Sequence, residues 1–132
     1  MKYIKYKGKF IIYFFVAPVI CTAIIPIVLM DIWVEIYHRI CFPICNIPYV
    51  KRRDYIKIDR HKLSYLNWLQ KLGCVYCGYA NGCYNYWVRI AAETEVFWCG
   101  IMHQKRKGFI PPAHHKDFTE FGDEKAYRQK YK

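Results

Sequence analysis

The chain has 132 residues, a formal net charge of +11 and seven cysteines. That length has room for one domain and leaves about 80 residues beyond an apolar N-terminal run, a small core that nature often supplements with a metal or disulfides. An odd number of cysteines, with Cys21, Cys41 and Cys45 in or beside apolar sequence, argues against a disulfide framework and for a reducing compartment whose thiolates hold metal.

Residues 1–9 form a basic tail carrying Lys2, Lys5, Lys7 and Lys9. Phe10 to Met30 follows without a charged side chain, and as a helix it reaches about 30 Å, the thickness of a hydrocarbon core. The stretch 10–30 therefore reads as a transmembrane or re-entrant segment. A cleaved signal peptide fits less well, because the run is long for one and lacks a small-x-small cleavage site. Ile20 before Cys21 also departs from a lipoprotein signal. Pro18 and Pro26 each remove a backbone donor, so a kinked or re-entrant helix is expected.

The next stretch, 31–50, mixes Ile32, Trp33, Ile36 and Ile40 with Asp31, Glu35, His38 and Arg39 and reads as interfacial. Asp31, Glu35 and His38 share one helical face. That face suits a polar stripe toward lipid headgroups, or alternatively metal or proton-relay ligands. Pro43 and Pro48 end the helix. Lysines before the apolar run and Lys51, Arg52 and Arg53 after it pull both flanks toward the cytoplasm, which a re-entrant or monotopic anchor satisfies. With Lys105, Arg106 and Lys107 they are expected to contact anionic lipid. Nucleic acid would want the same charge.

Residues 51–107 read as a helical metal-binding domain. Asp59 is the expected N-cap of a helix from Arg60 to Leu72, and Gly73 its end. Cys74-Val75-Tyr76-Cys77-Gly78-Tyr79 then has the spacing of a tight turn gripping one ion. A second helix is expected from Cys83 to Gln104, placing Cys99 and His103 one turn apart. Together they compose C-x2-C-x21-C-x3-H, a zinc ligand set of Cys74, Cys77, Cys99 and His103 with Cys83 in reserve. Glu95, one turn before Cys99, is placed to orient a ligand. Iron is the alternative ion. Four protein ligands imply a closed, structural site.

Residues 108–132 form a basic C-terminal tail. Pro111-Pro112 breaks the chain, His114 and His115 could serve as auxiliary ligands, and Asp123 caps a short terminal helix. No Gly-rich phosphate loop, G-x-S-x-G elbow or H-E-x-x-H pair is present. The expected fold is mainly α: a membrane helix, an interfacial helix and a small domain stapled by metal.

The run from Ile58 to Trp68, continued by Cys74 to Gly82, Thr94-Glu95 and Trp98-Cys99, resembles a family of uncharacterised small bacterial membrane-associated proteins with a CxxC…CxxxH cluster. That resemblance extends from Asp31 to His103 and implies His103, not Cys83, as the fourth ligand. The CxxCGY turn also resembles one knuckle of a rubredoxin, whose second knuckle is absent here. The functional expectation is a membrane-associated zinc protein acting as a noncatalytic adaptor or assembly factor, with anionic lipid and an unidentified protein as partners. An iron electron carrier and a nucleic-acid-binding module are the alternatives.

Overall fold

A computed structural model describes residues 10–131, and the basic tail expected at 1–9 lies outside them. The described chain is mainly helical: α1 (Phe10–Thr22), α2 (Ile24–Ile44), α3 (Trp68–Trp98) and α4 (Glu124–Tyr131), with short 3₁₀ turns at Arg52–Asp54, Arg60–Lys62 and Ala113–Asp117. Pro26 explains the break after α1. It has no N–H to offer the Thr22 carbonyl one turn back, and the chain resumes with Ile27 N bonding Ala23 O at 3.3 Å. Ile11–Ile44, counted across that break, is long and apolar enough to cross a membrane.

α2 does not stop where an interfacial segment was expected to begin. It carries Asp31, Glu35 and His38 through its middle and closes at Ile44 in a Schellman motif. Asn46 adopts φ 55°, Asn46 N bonds Pro43 O at 3.3 Å, and Ile47 N bonds Phe42 O at 2.9 Å. Ile47 also packs on Phe42, the apolar contact that accompanies this cap.

The helix expected from Arg60 to Leu72 is replaced by a 3₁₀ turn at Arg60–Lys62 and a start at Trp68. The reason is a capping box. Asn67 Oδ1 accepts from Gln70 N at 2.8 Å, and Gln70 Oε1 accepts from Asn67 N at 3.0 Å, satisfying two otherwise orphaned donors. Asp59 makes no such bond. Asn67→Ala is expected to cost about 1 kcal/mol in denaturant unfolding, whereas Asp59→Ala leaves the midpoint unchanged.

From Asn67 the helix runs on through Gly73, both cysteines of the CxxC and Asn81-Gly82. It has no proline to stop it. Gly78 and Gly82 lie one turn apart and serve a packing purpose instead of a turn. A Cβ on Gly82 would sit 2.8 Å from Ile56 Cα, and one on Gly78 would sit 3.1 Å from the Lys57 carbonyl oxygen. The missing side chains make a groove that seats the backbone of residues 55–58.

That seating follows from the topology. Ile27 packs on Ala80, Glu35 and His38 bond Tyr86, and Tyr37 bonds Thr94, so α2 and α3 run parallel. Residues 45–67 must therefore return alongside both helices, passing His38 at Val50, Asp31 at Arg52 and Gly82 at Ile56. Two small clusters fill the seam: Phe42, Ile47, Val50, Tyr86 and Ile90, and then Ile27, Ala80 and Cys83.

α3 ends at Trp98, short of the expected Gln104, because Gly100 takes φ 78° just past the cap. A loop closes behind it. Thr119 N and Oγ1 both donate to Gly100 O, at 2.9 and 3.0 Å, and Met102 N donates to Thr119 O at 2.8 Å. Asp123 Oδ1 accepts from Ala126 N at 2.9 Å at the start of α4.

Candidate functional site

Two polar clusters stand out, one along the α2–α3 seam and one at the far end of α3. The first uses the stripe read as headgroup-facing, turned inward. Arg52 donates to both oxygens of Asp31 at 2.5 Å, Tyr79 Oη donates to Asp31 Oδ2 at 2.7 Å, and the Arg52 guanidinium lies over the Tyr86 ring. Val50 N donates to His38 Nε2 at 3.2 Å, so the proton of this neutral ring sits on Nδ1 and is donated to Tyr86 Oη at 3.0 Å. Tyr86 passes its own proton to Glu35 Oε2 at 3.0 Å.

Asp31, Glu35, His38, Tyr79 and Tyr86 thus each have a partner in this network. Burial, followed by the bond to Glu35, pushes the Tyr86 phenol above the usual tyrosine range, and burial with the Asp31 bond does the same to Tyr79. The bonds to Asp31 push Arg52 up as well, so it stays charged. These paired donors and acceptors tie α2 to α3 and the return segment. The network locks helix register.

The second cluster is less satisfied. Glu95, in the last turns of α3, accepts from His114 Nε2 at 2.7 Å and His115 Nε2 at 3.1 Å. Those bonds, His114 first, hold its carboxyl below the usual glutamate range despite some desolvation. Glu95, His103 and His115 each bring a ligand-type atom within 4.8 Å of the others. The loop closed by Thr119 brings this about: His103 lies on its outgoing side and His115 in the 3₁₀ turn after Pro111-Pro112. His115 is 1 % exposed, stacks on Phe118 at 4.6 Å, and leaves Nδ1 without a partner.

The expected ligand set does not converge. Cys74 and Cys77 lie within one straight run of α3 and Cys99 caps its end, so Cys77 and Cys99 are about 33 Å apart along the axis at 1.5 Å per residue. Thiolates sharing one zinc must lie within a few ångströms. The six residues likened to a rubredoxin knuckle are helical, which removes that turn. Cys99 and His103 are not one helical turn apart either, because α3 ends at Trp98, before both. Cys83, the reserve, is fully buried against Ile27 and Ala80 on the α2–α3 seam, and burial with the Asp31 charge pushes its thiol up, which disfavours the thiolate. Glu95 stands beside His103 directly, and His115, read only as auxiliary, completes the group. The doublet after a proline pair was the only hint of it.

Of the residues expected to touch anionic lipid, Lys51, Arg53, Arg106 and Lys107 are exposed. Lys105 is exposed and paired with Glu120 at 3.2 Å. Arg52 is a correction: it faces inward, held by Asp31. No family model matches the chain, and no curated protein or solved structure matches it.

Proposed function

We propose that the protein is a membrane-associated, noncatalytic adaptor, held by α1 and the outer face of α2 with its charged parts in water on the cytoplasmic side. One observation carries the reading: the outward stripe Ile25, Leu29, Ile32, Ile36 and Ile40, with Trp33 and Ile44 beside it, is exposed along the whole of α2. Only 6 % of the most apolar stretch of Ile11–Ile44 is covered by the rest of the chain. A core helix of a water-soluble domain would be covered; an uncovered stripe of this length suits lipid.

The topology argues for a kinked or monotopic insertion over a plain crossing. The returning segment 45–67 is irregular backbone carrying Arg53 and Lys57, whose side chains are 83 % exposed. Lipid does not tolerate such a segment. It runs beside α2 from His38 back to Asp31, so the helix pair has one flank in water while the opposite flank meets the membrane. Exposed Lys51, Arg53, Arg106 and Lys107 favour anionic headgroups and the cytoplasmic leaflet. The iron-carrier alternative rested on a cysteine turn that is helical here.

The test is flotation of the full chain with vesicles of neutral and of anionic lipid. Binding to both, stronger with anionic lipid, is expected, and Ile36→Lys with Ile40→Lys should lower it tenfold or more, since a charge in the apolar region costs about 2.5 kcal/mol or more at full depth. A chain that stays monomeric in buffer without detergent and ignores vesicles overturns the reading.

A further inference from the structure

We propose that Glu95, His103 and His115 bind one divalent transition-metal ion of the zinc class, with His114 positioning the Glu95 carboxylate. This proposal is independent of the membrane reading. Its geometry is already assembled: three ligand-type atoms from three separate stretches of chain lie within 4.8 Å of one another. Two imidazoles and one carboxylate are a donor set suited to zinc and its neighbours, and unsuited to calcium or magnesium, which prefer all-oxygen sites.

One further observation points to a missing ligand. Glu95 is oversupplied with imidazole. His114 holds Oε2 at 2.7 Å while His115 reaches Oε1 at 3.1 Å. The longer contact is the one a cation would replace, and the His114 bond would remain as the partner that fixes the carboxylate.

Three protein ligands leave a tetrahedral ion one open position. His103 is exposed, and beside it an open cleft is lined by Gln104, Lys105, Arg106 and Phe109. Water or an oxygen donor therefore has access. The ion would also tie the loop between Gly100 and Thr119 to the end of α3, adding stability where apolar packing is thin.

The experiment titrates the full detergent-solubilised chain with Zn²⁺ alone and with Co²⁺ alone. The expected result is one ion per chain, a Co²⁺ spectrum without thiolate-to-metal charge transfer, and a rise in thermal midpoint with Zn²⁺. His103→Ala, at an exposed position, and Glu95→Gln should each weaken binding by at least ~100-fold, while His114→Ala loses about tenfold, as supporting partners of ligands do. Cys74→Ser, Cys77→Ser and Cys99→Ser should bind as the parent does. Thiolate charge transfer, loss of binding in the cysteine variants, unchanged binding in His103→Ala and Glu95→Gln, or no binding by a folded parent each overturns the site.

Discussion

Replacing Arg52 with alanine is expected to destabilise the fold by about 3 kcal/mol, because it breaks a largely buried ion pair on the α2–α3 seam. The cost comes from what is left behind. Asp31 is nearly buried, and its two oxygens take both arms of the guanidinium and the Tyr79 hydroxyl. Removing Arg52 leaves a largely buried carboxylate with one neutral donor. The figure sits at the low end for a broken buried pair because the Arg52 side chain is 34 % exposed, so water reaches the vacated place. Arg52→Lys should recover only part of the loss, since an ammonium cannot bridge both oxygens. Asp31→Asn in the Arg52→Ala background should recover more, because it removes the stranded charge. Urea unfolding of the solubilised chain measures all three, with Arg53→Ala as a neutral control. Equal midpoints for Arg52→Ala and Arg53→Ala would mean that the pair does not hold the seam.

The same ion pair marks where the sequence could be read and where it could not. Composition was enough for an α fold with an apolar N-terminal helix, because 21 uncharged residues from Phe10 to Met30 permit little else. The face shared by Asp31, Glu35 and His38 was also legible. Its direction was not. Helical periodicity shows that residues share a face and is silent on whether that face meets water, lipid or another helix, and the partners, Arg52, Tyr79 and Tyr86, lie 21 to 51 positions downstream. Arg52 looked like one of three equivalent surface cations until the return segment placed it.

The cysteines show a different limit. A C-x2-C followed by glycine satisfies the local requirement of a metal turn, but the same residues satisfy a helix when a capping box starts one upstream and a glycine groove rewards its continuation. Local spacing cannot weigh those two outcomes, because the reward is a contact between Gly82 and Ile56 across 26 residues. The end of α3 was missed for a simpler reason: Gly100 stops the helix before His103, and Thr119 folds the chain back. His103 and Glu95 nonetheless meet, by a loop and not by helical repeat, with His115 where a thiolate was expected.

The glycine groove gives the sharpest test of this packing, because the same substitution should act with opposite sign at two points of α3. Alanine forms helix better than glycine by about 1 kcal/mol. Gly73 has nothing within 4 Å of an added Cβ, so Gly73→Ala should raise stability by close to that amount. Gly82→Ala should lower it by about 1–2 kcal/mol, since the new methyl would meet Ile56 Cα at 2.8 Å and the Tyr55 carbonyl oxygen at 3.0 Å, and overpacking of about 1–3 kcal/mol outweighs the helical gain. Both obstacles are backbone, which cannot swing aside as a side-chain tip would. Gly78→Ala, 3.1 Å from the Lys57 oxygen, falls between the two. Thermal unfolding of the three variants in one detergent gives the order directly. If Gly82→Ala is as stabilising as Gly73→Ala, residues 55–58 do not seat on α3, and the return path that brings Arg52 to Asp31 fails with them.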